Sequence, residues 1–156
     1  MKRIIISTAS AMICLLLVAA CNTPKPASTG ASSTEAKKTD PELVEKYWKL
    51  VELYGNPVTV EENQKEAHLI LKSDGTYNGS AGCNTLLGSY SLGAPGRISF
   101  SEGATTLKMC LKGMETEEKF KQVIKMADSY LVKQDTLLLH RARMAPLARF
   151  VAVYMK

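Results

Sequence analysis

From Trp48 to Tyr154 the chain is cut into short runs in which apolar and polar residues alternate, each run closed by glycine, asparagine, aspartate or proline. A period of two sends successive side chains to opposite faces of a strand, so such a run buries its apolar face only within a sheet. Frequent turn signals let consecutive runs pair with one another. The pattern predicts an α+β, mainly antiparallel fold, and one segment breaks the rule by changing to helical spacing.

The first strand is expected over Tyr47–Tyr54, with Trp48, Leu50 and Leu53 on one face and Gly55-Asn56-Pro57 closing it. Ala67, Leu69 and Leu71 alternate with His68, Ile70 and Lys72, and Ser73-Asp74-Gly75 then supplies the positive φ of a hairpin turn into Thr76–Ala81. After the irregular Gly82-Cys83-Asn84 come strands at Gly88–Leu92 and Arg97–Ser101, and later at Tyr130–Lys133, Thr136–His140 and Leu147–Tyr154. Asp40-Pro41 followed by Glu42 reads as a short helix reaching Lys46. The main helix is expected over Thr116–Ala127: Phe120, Val123, Ile124 and Ala127 form its apolar stripe, Thr116 caps it, and Glu117 and Glu118 favour its positive end.

The amino-terminal part has a different grammar. Lys2 and Arg3 precede an apolar stretch from Ile4 to Val18 that is short for a bilayer span but suits a signal peptide. The stretch ends in Leu17-Val18-Ala19-Ala20-Cys21, which resembles the bacterial lipobox. That resemblance implies cleavage between Ala20 and Cys21, diacylglycerol on the Cys21 thiol and an acyl chain such as palmitate on the new terminus. More than one acyl chain makes anchoring stable. The competing readings are an ordinary signal peptide or an uncleaved anchor helix. Asn22, where the enterobacterial sorting rule would need Asp for inner-membrane retention, favours the outer membrane. Residues 22–39 are rich in Pro, Ser, Thr, Ala and Lys and cannot offset the entropy of ordering. They are expected to form a linker spanning roughly 20–25 Å. The expected organisation is thus a leader over 1–20, a lipidated terminus and linker over 21–40, and one domain over 41–156.

The net charge of +5 includes Lys2 and Arg3, which leave with the leader, and no lysine or arginine stripe is interleaved with aromatics. Nucleic-acid binding is therefore not expected. The domain is expected to be monomeric.

Several landmarks in the domain resemble the META domain family (HslJ-like). They are Trp48-Lys-Leu50 with Gly55, Asp74-Gly75 before Gly79, Gly82-Cys83-Asn84 with Gly88-Ser-Tyr90, and Thr106-Leu-Lys-Met-Cys110, followed by the helix around Phe120 and the Leu137-Leu-Leu139 strand. Together they cover nearly all of residues 47–156. The resemblance implies a strongly curved antiparallel sheet, an open half-barrel, with one helix against it. It also implies an envelope location, links to heat shock, drug tolerance or secretion, and no established enzymatic activity. Thr85-Leu-Leu87 stands where many members carry a basic and then an aromatic residue, so no role of that basic group transfers here.

With Cys14 in the leader and Cys21 lipidated, Cys83 and Cys110 remain as a pair in an oxidising compartment, and a disulfide is expected. A redox-active or metal-binding thiol pair is the alternative, without a C-x-x-C spacing or a neighbouring histidine to support it. His68 and His140 read as solvated or hydrogen-bonded strand residues, and Ser80, Ser89 and Ser91 as surface serines. Asp74 reads as a turn residue and Asn84 as an asparagine tolerant of positive φ. Met109, Met114 and Met126 are too scattered for a copper site. No cofactor or metal is expected. The leading expectation is a non-enzymatic, membrane-anchored envelope protein, stress-related or working through other envelope proteins. The alternative is a carrier holding a small apolar ligand, with Leu69, Leu71, Ile98 and Phe100 lining its cavity. An enzyme would need convergent polar groups that this sequence does not assemble.

Overall fold

The computed structural model describes residues 39–60 and 64–154. The chain divides into two units, Met1–Thr34 and Glu35–Lys156. The expected leader, Cys21 and the linker up to residue 38 lie outside the described residues.

The second unit contains strands β1 (Tyr47–Leu53), β2 (Asn56–Pro57), β3 (His68–Leu71), β4 (Thr76–Ser80), β5 (Thr85–Leu92), β6 (Ile98–Phe100) and β7 (Ala104–Thr105). Helix α1 (Met114–Met126) follows, then β8 (Ser129–Lys133), β9 (Thr136–His140) and β10 (Ala148–Val153). Neighbouring strands run β6-β5-β4-β3-β1-β10-β9-β8, with β2 folded back on β1 and β7 on β5. Consecutive strands pair as antiparallel hairpins wherever the turn chemistry allows. In the β3–β4 turn, Asp74 Oδ1 accepts from Thr76 N at 2.8 Å and Thr76 Oγ1 at 2.6 Å, while Gly75 takes φ 74°.

The two ends of the path meet. Arg97 bridges Ser129, Ile98 N donates to Asp128 O at 3.2 Å, and Tyr130 N donates to Gly96 O at 2.9 Å. The sheet is thus nearly closed into a barrel, which removes most of its exposed edge. Tyr130 Oη donates to Asp40 Oδ2 at 2.8 Å beside this seam, and burial together with that bond holds the phenol proton well above its usual range. The architecture is the expected one, a strongly curved antiparallel sheet with a single helix.

Inward side chains fill the interior. Trp48, Leu69, Leu71, Leu137, Leu139, Phe120 and Phe150 are fully buried, and α1 presses Phe120 against Phe150 with ring centroids 5.8 Å apart. Trp48, Leu50 and Leu53 all point inward although a strict two-residue period would turn Leu53 out. A bulge resolves this: β1 pairs Leu50 with Phe150 but Glu52 with Arg149, so Val51 is the extra residue that resets the alternation.

Three sequence expectations are corrected. Asp40–Lys46 forms one hydrogen-bonded turn rather than a helix: Leu43 N and Val44 N both donate to Asp40 O at 3.0 Å. Glu45 then turns to φ 57°, its N–H donates to Leu71 O at 2.8 Å and its carboxylate accepts from Ser73 N at 2.6 Å. Bonds to the β3 end displace the helical ladder. Helix α1 begins at Met114, not at Thr116, and its N-cap is Gly113 at φ 80° without a side-chain cap. The entering loop dictates this start. Strand β5 begins at Thr85, three residues before the Gly88 expected to open it, because Thr85, Leu86 and Leu87 pair with Ser80, Gly79 and Asn78.

Candidate functional site

The segment after β7 is held to the barrel by a compact polar knot. Cys83 and Cys110 are joined by a disulfide, with Cα atoms 6.1 Å apart. Beside it Asn84 is 2% exposed and satisfies every polar atom of its amide. Its Oδ1 accepts from Lys108 N at 2.8 Å and Thr106 Oγ1 at 2.7 Å, and its Nδ2 donates to Lys108 O at 3.0 Å. The amide therefore pairs with both backbone groups of Lys108, much as a strand would. Nδ2 also donates to Glu117 Oε1 and Oε2 at 3.0 and 2.9 Å, and Asn84 N donates to Glu117 Oε2 at 3.2 Å. Glu117, in the first turn of α1, is itself 2% exposed. Its carboxylate gains from the helix N-terminus and from Lys121 Nζ at 3.5 Å from Oε1. Loop, strand and helix are thus tied at one asparagine. Asn84 is not among the residues with positive φ, so the expected conformational reason for it is replaced by a hydrogen-bonding one.

Next to the knot a cleft of about 540 Å³ opens between α1 and the β6–β7 segment. Tyr77, Leu86, Phe100 and Ile124 give it an apolar floor, and Lys121 and Lys125 of α1 stand on its wall. Close packing builds the lip: a Cβ at Gly103 would collide with the Leu87 carbonyl oxygen and lie 2.5 Å from the Tyr77 hydroxyl. Gly88 similarly leaves room for the Tyr77 ring, which crosses it from the paired strand position. Tyr77 in turn meets Phe100 edge-on, with centroids 5.4 Å apart. Glu102 also lines the cleft, and Lys121 Nζ is engaged by Glu117 and Glu118 at 3.5 and 3.3 Å, so Lys125 is the remaining cation on the wall. An apolar trough beside it can hold an amphipathic molecule by its apolar part and draw an anionic head toward Lys125.

A family model for the META domain matches residues 41–154, almost the whole of the described unit. The chain belongs to the META domain family. No curated protein matches the chain. Among solved structures, an NMR structure of a protein from Burkholderia xenovorans matches with a TM-score of 0.59 at 20% identity, covering 85% of this chain and all of that one. Another protein solved by NMR gives 0.57 at 21% identity over 73% of this chain and 96% of its own. The crystal structure of a DUF4847 family protein from Bacteroides vulgatus gives 0.53 at 17% identity, over 70% and 93%. At these identities the likeness is one of fold.

In this META domain the landmark residues have separable duties. Gly82, Cys83, Asn84, Thr106 and Cys110 converge on the knot, while Trp48 lies fully buried and donates through Nε1 to Leu43 O at 2.8 Å. Gly88 backs the cleft, and Tyr90 donates to Lys72 O at 2.7 Å. The other candidates do not assemble. His68 stacks on Tyr47 at 4.4 Å with Nδ1 3.0 Å from Glu66 O, and His140 lies with Nδ1 3.2 Å from Met144 O. Ser89 and Ser91 pair with Ser101 and Ser99 across strands at 2.8 and 2.7 Å, as surface serines do. Ser80 departs from that expectation: it is buried, with Oγ accepting from Gly82 N at 3.2 Å.

The expected cavity lining is corrected too. Leu69, Leu71 and Ile98 belong to the packed core, and only Phe100 of the four reaches the cleft. Tyr77, Leu86, Lys121, Lys125 and the β7 rim were not foreseen. Glu117 had a legible signal: it precedes Phe120 by three residues and Ile124 by seven, which puts a carboxylate on the apolar stripe.

Proposed function

We propose that this META domain belongs to an envelope lipoprotein, anchored through Cys21 and without catalytic activity of its own, that binds small amphipathic anions in the cleft beside α1. The observation that carries the binding role is the pairing of an apolar floor, Tyr77, Leu86, Phe100 and Ile124, with Lys125 on the wall, Lys121 being engaged by Glu117 and Glu118. The carrier reading thereby gains over a purely surface-mediated role among envelope proteins. An outer-membrane setting and a part in envelope stress follow from Asn22 and from the family resemblance.

The two halves of this reading are tested separately. Cys21→Ser is expected to abolish incorporation of labelled palmitate, and blocking lipoprotein signal peptidase should make the uncleaved form accumulate; unchanged labelling and processing would remove the anchor. For the cleft, a fluorescent long-chain carboxylate should bind with micromolar affinity, since each buried methylene contributes about 0.8 kcal/mol. Ala104→Trp, which fills the cleft from its exposed rim, should abolish that binding. Lys125→Glu should weaken it about five- to tenfold, with neither variant shifting the melting temperature by more than a few degrees. Binding indifferent to both substitutions, or absent from the parent chain, would exclude the cleft.

A further inference from the structure

One stretch of sheet edge is left open, and it faces the cleft. Along β6 the backbone groups alternate in direction: Ser101 N donates to Ser89 O at 2.8 Å, and Ser99 lies opposite Ser91 on the same ladder. The intervening Ile98 and Phe100 therefore turn their N–H and C=O groups away from β5. Ile98 finds a partner there, since its N–H reaches Asp128 O at 3.2 Å. Phe100 points the same way, but β8 begins only at Ser129, and the register that pairs Arg97 with Ser129 would set Met126 of α1 opposite Phe100. No strand lies beside it among the described residues. β7 repeats the arrangement. Ala104 lies opposite Leu87 and Thr106 N donates to Thr85 O at 3.2 Å, so the backbone of Thr105 between them also faces away from β5. Phe100 and Thr105 both line the cleft, together with Ile124 and Lys125 of α1.

We propose that the cleft receives an extended polypeptide segment as an added strand along β6 and β7, with alternate apolar side chains on the floor and a carboxylate toward Lys125. The proposal deepens the reading of the cleft as a site for amphipathic anions and rests on it. An aliphatic chain would satisfy the floor of Tyr77, Leu86, Phe100 and Ile124, but it leaves the backbone groups of Phe100 and Thr105 unmet. Another extended backbone meets both the donors and the acceptors, at the spacing a strand already has. Such a segment would lengthen the ladder that Asp128 begins at Ile98. Its side chains would alternate between the floor and the outer side, where Lys125 is exposed and not engaged by the carboxylates that hold Lys121.

The solved relatives consist almost wholly of this domain, 93% to 100% of their chains, so it folds without an acyl group. Residues 22–156, unacylated, would be titrated with a labelled hexapeptide in which valine alternates with glutamate, and separately with a long-chain carboxylate. The peptide should displace the long-chain carboxylate and slow exchange of the Phe100 amide hydrogen by about tenfold or more, whereas the long-chain carboxylate should slow it far less. Only every second peptide group of an added strand faces β6. N-methylation of alternate amides should therefore weaken binding by about tenfold or more for one set and leave the other set nearly unaffected. Exchanging glutamate for glutamine should weaken binding about three- to fivefold in the parent and not at all in Lys125→Gln, which should melt with the parent because its side chain is exposed. A cleft that binds the long-chain carboxylate but not the peptide overturns the proposal and leaves the broader reading standing. Failure to bind either ligand overturns both. Equal losses from the two methylated sets, unslowed exchange at Phe100, or a glutamine peptide held as tightly as the glutamate one would each overturn the added strand.

Discussion

Asn84→Ala is expected to destabilise the domain by about 3–4 kcal/mol, read as a lowered denaturant midpoint with an unchanged slope. The substitution removes every partner that the Asn84 side chain offers to Glu117, Thr106 and Lys108. Glu117 would stay 97–98% covered by protein, with the backbone N–H of residue 84, its lysine and the helix end left to compensate its charge but no side-chain amide. An ordinary cavity of this size costs less, so the excess measures the stranded carboxylate. Asn84→Asp separates charge from shape. It sets a second carboxylate against Glu117, and two carboxylates in contact share one proton. The folded variant then holds a proton that its unfolded chain releases near pH 4, so its stability should be fully present in acid and be lost as pH rises toward neutrality. If Asn84→Asp were as stable as the parent at neutral pH, the knot would not be the close-packed device described here.

Removing the disulfide should have an effect of similar size by a different route. Cys83 and Cys110 are 27 residues apart, and in the chain-entropy account a loop of that length contributes about 3.5 kcal/mol by restricting the unfolded chain. For a domain of this length that corresponds to a fall of about 10–20 °C in the melting temperature for Cys83→Ser with Cys110→Ser. The denatured, unreduced parent should release no thiol from this pair. A melting point unmoved by the double substitution would mean that the Asn84 bonds alone determine the loop. Because the bond and the asparagine grip the same segment, the losses from Asn84→Ala and from the cysteine pair should fall short of additivity.

Much of the barrel could be read directly from the residues. Strands betray themselves by a two-residue period, and the Asp74-Gly75 turn does so by a chemistry confined to four residues. Trp48 and Leu50 announced the inner face for the same local reason. Leu53 was harder, because its orientation depends on a bulge that exists only once β1 has found β10. The helix expected over Asp40–Lys46 failed where Glu45 is drawn to Leu71 and Ser73, partners more than twenty residues away. The two-residue strands β2 and β7 leave no periodic trace at all, and the second of them supplies the lip of the cleft.

By itself the sequence determined the alternation that makes a sheet, the single stripe that makes a helix, and the two sulfurs available to cross-link them. Those properties reside in neighbouring residues and need no knowledge of where the chain goes next. Only the tertiary structure decided that Glu117 would be buried against Asn84, that Phe100 rather than Leu69 would face the cleft, and that Leu107, Met109 and Leu111 would stand in solvent. Each of those outcomes depends on which distant group reaches a given atom first, and that competition is settled by closure of the barrel.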